Sequence, residues 1–153
     1  VDFAGDTLSY IDMETGEMIK VQTFVSTLAC TDYAFVLCVP SQKTEDFLYA
    51  LRRALEFYGG VPKIVVPDNL KAAVTRADKY EPTINKAMED MGNHYGFVVI
   101  PCQPAKPTQK SLVENQVQMI YHRIYARLQH RQFFSLEELN MAVHLTRNLI
   151  AML

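Results

Sequence analysis

Residues 33–66 read YAFVLCVPSQKTEDFLYALRRALEFYGGVPKIVV, and the succession of patterns inside them decides the kind of fold the chain adopts. Tyr33 to Val39 is a continuous apolar run of strand length. Lys43 to Tyr58 places Phe47, Leu48, Leu51, Leu55 and Tyr58 on one face at 3.6-residue spacing, which predicts an amphipathic helix, and Gly59-Gly60 stops it. Lys63 to Val66 is short and β-branched between Pro62 and Pro67, the mark of a buried strand. A strand, a helix and a strand in that order carry the chain over a sheet to a parallel neighbour.

Working outward, the preceding residues predict two more strands. Phe3 to Ile11 runs into a turn at Glu14-Thr15-Gly16, and Met18 to Leu28 alternates in part through Ile19, Val21, Phe24 and Val25. Connections this short imply antiparallel hairpins, with Gly16 supplying a positive φ at the reversal. In the other direction Pro82 to Tyr95 reads as a helix and Phe97 to Ile100 as a strand. Pro101 to Pro107 holds three prolines in seven residues and reads as irregular loop. Thr108 to about His130 is a long helix, and Ser135 starts a final one as N-cap, with Glu138 completing a capping box. No internal repeat or low-complexity tract interrupts this order. It resembles the ribonuclease-H-like arrangement, a mixed five-stranded α/β sheet, three antiparallel strands followed by parallel additions, with helices on both faces. There the first strand lies centrally beside the fourth, so Asp2 and Asp68 are expected to be neighbours.

The 153 residues suit one domain that buries roughly two-thirds of the surface of its unfolded chain. A hydrophobic fraction of 49% and a charged fraction of 21% describe an ordinary globular protein. No apolar run approaches the roughly 20 residues of a membrane span, and no signal peptide is visible, so a cytoplasmic location without membrane partners is expected. The chain starts at Val1 rather than Met and enters a strand at once, which is the expectation for a segment of a longer protein. Cys30, Cys38 and Cys102 are odd in number and lack Cys-x-x-Cys spacing, so they are expected to be reduced, buried thiols. His94, His122, His130 and His144 lack the i, i+4 pairing of helical metal ligands and are expected to be solvated or hydrogen-bonded. The net charge of −2 conceals an asymmetry: residues 1–100 carry 9 Lys and Arg against 14 Asp and Glu, and the rest carry 6 against 3. A moderately basic last third can face phosphates, but charge alone does not point to nucleic acid.

Three acids stand out. Asp2 lies on the first strand, Asp68 follows Ile64-Val65-Val66-Pro67, and Glu114 sits in the long helix. At about 100° per residue, Val113, Val117, Ile120, Ile124 and Leu128 lie between about −40° and −120° from Glu114 and form the buried stripe. Glu114 therefore stands at the margin of the core-facing surface. Lys110, at about −40°, reaches the same cleft, whereas Arg123 falls opposite and is read as solvated, as are Arg127 and Arg131. Three convergent carboxylates raise one another's pKa values unless a cation relieves the repulsion. Mg²⁺ prefers such hard oxygen ligands, and two ions about 3.5–4 Å apart activate an attacking oxygen and stabilise a leaving one. Taken singly, each acid is more simply a surface residue. Asp6, Asp12 and Asp32 carry no separate role, and Asn69 reads as a cap.

Val1-Asp2-Phe3, GGVPKIVVPDNLKAAV (59–74) and KPTQKSLVENQV (106–117) together resemble the catalytic core of DDE transposases and retroviral-type integrases. Asp-Asn-Leu-Lys at 68–71 and FFSLEELN at 133–140 resemble the IstA-type transposases of bacterial insertion sequences. The likeness covers essentially the whole chain, with 65 residues between the aspartates and 45 between Asp68 and Glu114. It departs from the commoner pattern at Gln109 and at Ser111-Leu112. The resemblance implies that Asp2, Asp68 and Glu114 are the catalytic, metal-binding triad, holding Mg²⁺ or Mn²⁺, two ions in all. It also implies that Lys110, Lys106 and Lys71 contact DNA. Residues 1–153 would then be the integrase-like catalytic core of a longer transposase, cutting the 3′ ends of an insertion sequence and transferring them to target DNA. The implied partners are transposon ends, target DNA, an ATPase helper protein and further copies assembled on DNA. Three other readings remain open on the residues: a host nuclease of the same fold, such as a ribonuclease H or junction resolvase, a domesticated domain that binds DNA or protein without chemistry, and a plain α/β binding module.

Overall fold

The computed structural model describes residues 1–28, 31, 33–67, 74–76, 83–84, 86–100 and 107–151, with side chains except at 74–76, 83–84, 107–114 and 116. The elements in chain order are β1 (Asp2–Phe3), β2 (Leu8–Ile11), β3 (Met18–Thr27), β4 (Ala34–Val39), α1 (Thr44–Tyr58), β5 (Ile64–Val65), β6 (Val74–Arg76), β7 (Thr83–Ile84), α2 (Lys86–Tyr95), β8 (Val98–Val99), α3 (Pro107–Leu128) and α4 (Leu136–Ala151). The ten-residue β3 is the spine: β1 and β2 pair with it antiparallel along one edge and β4 along the other. β5 and β8 pair in parallel, as a strand–helix–strand crossover requires. The two groups meet where the Val1 nitrogen donates to Val66 O at 3.0 Å. Among the described residues the strands form a four-stranded antiparallel sheet and two two-stranded pairs, β5–β8 and β6–β7, rather than the one five-stranded sheet expected, within the same mixed α/β class.

Strand alternation distributes the side chains of β3 and β4 to two cores. Phe24, Phe35 and Val39 join Phe47, Leu51 and Leu55 of α1 and Met88 of α2 on one face. Val21, Val25, Val36 and Cys38 join Ile124 and Leu128 of α3 and Leu139 and Val143 of α4 on the other. Gly16 and Gly59 hold φ of 71° and 70°, as the turn and the end of α1 require. The capping box of α4 also forms, with the Glu138 N–H donating to Ser135 Oγ at 3.0 Å. The return bond differs from expectation: Glu138 Oε2 accepts the N–H of Phe134, one residue earlier, at 3.3 Å.

β5, expected to be buried, is so only at Val65, with Ile64 and the following Val66 exposed, and two element boundaries also need correction. The strand expected over Phe3 to Ile11 is two strands. Phe3 stands opposite Phe24 and Leu8 opposite Val21, so the four residues 4–7 face only Gln22 and Thr23. The surplus leaves the ladder as a bulge, which an alternation count along one strand does not detect. The helix expected over Pro82 to Tyr95 begins only at Lys86, because Thr83 and Ile84 form β7 and pair with β6. Both residues are β-branched and favour extended backbone. Pro82 lies outside the described residues.

β4 pairs only with β3 among the described residues, and α4 closes its other edge. Asn140 Oδ1 accepts the Cys38 N–H at 2.7 Å and its Nδ2 donates to Cys38 O at 2.9 Å, so one amide replaces the missing strand at that position. Asn140→Asp keeps the shape and removes the donor, setting a carboxylate oxygen against a carbonyl. We expect it to lower unfolding stability by about 2 kcal/mol in urea titration. A loss below about 0.5 kcal/mol would show that the amide is not what closes this edge.

Candidate active site

The placement of Asp2 follows from its neighbour. Phe3 is buried and packs edge-to-face on Phe24 and on Phe47, each at 6.1 Å between ring centroids. With Phe3 anchored on the α1 side, alternation turns Asp2 to the side that α3 covers. Asp2 is half-buried there, and its Oδ1 accepts the N–H of Phe3 at 2.7 Å. Opposite it, Val117, Tyr121, Ile124 and Leu128 form the buried face of α3. Between them lies a cleft of about 270 Å³ lined by Asp2, Gly5, Asp6, Gln118, Tyr121 and His122 among others.

The other expected site residues are placed less fully. Glu114 and Lys110 lie on the first two turns of α3 by their backbone, and their side chains are outside the described residues. Asp68, Lys71 and Lys106 are outside them altogether, as are Cys30, Asp32, Asn69 and Cys102. Two observations nevertheless bear on the expected convergence. Val66, bonded to Val1, is two residues before Asp68 and brings the end of β5 to the start of β1. Position 114 is seven residues before Tyr121, about 20° away around the helix and about 10 Å along it. It therefore shares the face of α3 that meets β1. Among the described residues no group of three His, Cys, Asp or Glu side chains forms a metal site.

The structure adds residues that sequence reasoning passed over. Asp6 and His122, both exposed, line the cleft beside Asp2. Asp12 is a turn residue whose Oδ1 accepts the Glu14 N–H at 2.8 Å. Arg123, Arg127 and Arg131 are exposed as expected. Tyr121 is the largest omission: it is 3% exposed, and its hydroxyl donates to the backbone oxygen of Asp6 at 2.8 Å. Its spacing from Glu114 was the available signal.

Behind Tyr121 the bonding continues into the sheet. The Thr23 side chain lies beside the Tyr121 phenol, and Thr23 Oγ1 stands 3.6 Å from Cys38 Sγ, where either atom can donate. Burial pushes the Cys38 thiol up to about 11, only partly offset by Thr23. Burial likewise raises the Tyr121 phenol, again against the Thr23 bond. Both groups therefore stay neutral and able to donate at ordinary pH.

Known proteins resemble this chain in sequence or in fold. Residues 4–107 match the family model for the integrase core domain. The chain is 40% identical over 142 residues to a protein of Burkholderia multivorans described as a transposase for insertion sequence IS408, covering 93% of this chain and 27% of that protein. It is 30% identical over 125 residues to the transposase for insertion sequence element IS21 of Pseudomonas aeruginosa, covering 82% of this chain and 32% of that one. Among solved structures, the catalytic core domain of BIV integrase superposes with a TM-score of 0.60 at 11% identity, over 95% of this chain and 80% of that one. The HTLV-2 integrase catalytic core domain in complex with magnesium superposes with a TM-score of 0.54 at 14% identity, over 95% and 82%. The chain thus spans about a quarter to a third of the length of these transposases.

The Cys38 shift carries a pH signature. The unfolded thiol ionises near 9.0 and the folded one near 11, so its contribution is fully present below pH 9 and declines as the pH rises towards 11. The urea midpoint is expected to fall across that window, and Cys38→Ala to flatten the fall between pH 9 and 10, before tyrosine ionisation adds to it. An equal slope in the variant would assign the fall to other groups.

Proposed function

Because the chain belongs to the integrase core domain family, we propose that it is the catalytic core of an insertion-sequence transposase, cleaving DNA at 3′ ends and joining those ends to target DNA with the help of divalent metal ions. The observation that carries this reading is the seating of Asp2. It is held on the side of the sheet where α3 docks, with position 114 on the docking face and the end of β5 beside it. On this reading Asp2, Asp68 and Glu114 are the catalytic residues and hold two Mg²⁺ or Mn²⁺ ions. The donor set suits them, since carboxylate oxygens are hard ligands and the polar cleft beside Asp2 leaves room for the water these ions retain. Such a pair of ions supplies activation of the attacking oxygen and stabilisation of the leaving oxygen in an in-line displacement.

The chain's own residues supply position. Phe3 fixes Asp2 from the opposite core, so the carboxylate needs little reordering to act as a ligand. Lys110, Lys106 and Lys71 are assigned to phosphates of the DNA ends, where cations orient a polyanion without reading its sequence. The whole protein is longer than this chain, works in the cytoplasm as a multimer on paired DNA ends, and is served by an ATPase helper protein. No helix among the described residues is long and apolar enough to cross a membrane.

Single substitution of Asp2, Asp68 or Glu114 by Ala is expected to reduce joining of labelled transposon-end DNA by at least about 100-fold while leaving the thermal midpoint within a few degrees. Full activity in any of the three sinks the assignment. Cleavage without a joined product from the unsubstituted protein would make it a host nuclease of the same fold, and DNA binding with no cleavage a domesticated binding domain.

A further inference from the structure

We propose that Tyr121 is a positioning residue whose hydroxyl, bonded to the Asp6 carbonyl, sets the axial position of α3 against β1 and thereby the separation of Asp2 and Glu114. The inference rests on the reading of Asp2 and Glu114 as ligands of one metal centre. Most of what α3 buries beside Tyr121 is apolar: Val117, Ile124 and Leu128. Apolar contact holds a helix down but is non-directional, and it resists sliding along the axis weakly. A hydrogen bond has a direction and a length, and this one is 2.8 Å between a buried phenol and the bulge that follows Asp2 by four residues. A slide of one residue along a helix is about 1.5 Å, whereas metal–ligand distances tolerate only about 0.2 Å.

The bond is also backed from behind. Thr23 on β3 lies beside the same phenol, so the ring is confined on that side as well as held by its bond to Asp6. The bulge supplies the acceptor: Ala4 still donates to Thr23 O, and the chain leaves the ladder after it, at Gly5 and Asp6. Tyr121 touches neither DNA nor metal on this account. It acts through the helix, with Glu114 two turns earlier on the same face.

The test is calorimetric titration of Mn²⁺ into the 153-residue chain, comparing the unsubstituted protein with Asp2→Ala, Tyr121→Phe and Asn140→Asp. Tyr121→Phe keeps the ring in its core and removes only the hydroxyl. It is expected to weaken Mn²⁺ binding roughly tenfold, as loss of an outer supporting bond does at metal sites. Asn140→Asp, which loosens the fold at the far edge of the sheet, should leave Mn²⁺ affinity unchanged. Thr23→Ala removes the support behind the phenol and should fall between Tyr121→Phe and the parent; it serves alone if Tyr121→Phe does not fold. Unaltered affinity in Tyr121→Phe, or equal weakening in Asn140→Asp, overturns the proposal while the metal reading stands. Absence of binding by the unsubstituted chain, or undiminished binding by Asp2→Ala, overturns the metal reading and the proposal with it.

Discussion

Two residues too many lie between Phe3 and Leu8, and much of the molecule is arranged around them. Opposite Gln22 and Thr23 the chain has four residues, so it leaves the ladder at Gly5 and Asp6, and the Asp6 carbonyl accepts from Tyr121 of α3. Thr23 of β3 lies beside the same phenol, and its Oγ1 stands 3.6 Å from Cys38 Sγ of β4. Separately, Asn140 of α4 takes both backbone groups of Cys38 at the far edge of the sheet. The apolar cores on either face hold the layers together, while the Tyr121 bond fixes α3 against the bulge.

What could be read from the sequence was whatever depends on near neighbours. The helical spacing of Phe47, Leu51 and Leu55 and the stop at Gly59 identify α1 because they involve one turn of chain at a time. The bulge is invisible on the same terms, since Phe3 to Ile11 looks like one strand until its register against β3 is known. Pro82 is a good first-turn residue for a helix, whereas the extended pairing of Thr83 and Ile84 depends on β6 and not on near neighbours. Tyr121 was missed for a related reason. The angular reading of α3 counted aliphatic residues, and although the spacing of Tyr121 from Glu114 places it at the margin of that stripe, its bonding partner Asp6 lies 115 residues away.

The site divides along the same line. The direction of Asp2 was within reach of the sequence, because an aromatic beside it must go to the core and the next side chain must then go the other way. The choice of Asp2, Asp68 and Glu114 from 17 acids came from the words around them rather than from any periodicity. Charge alone does not point to a nucleic-acid substrate: the first 100 residues hold five more acids than bases, and only the rest is moderately basic.

That acidic bias and a polyanionic substrate are compatible on one condition. Asp2 and Asp6 both line the cleft, so a phosphodiester entering it unaided meets like charge on the sheet side. Bound divalent ions invert the local sign, and a bound cation is commonly the largest charge in such a site. On the proposed function, the cleft would then admit DNA only when loaded, while the exposed arginines of α3, at 123 and 127, stand outside its lining and are free for contacts that do not depend on metal. Affinity for DNA and competence for chemistry would thus be separable properties of one helix, the first carried on its exposed face and the second on the face that Tyr121 holds against the sheet.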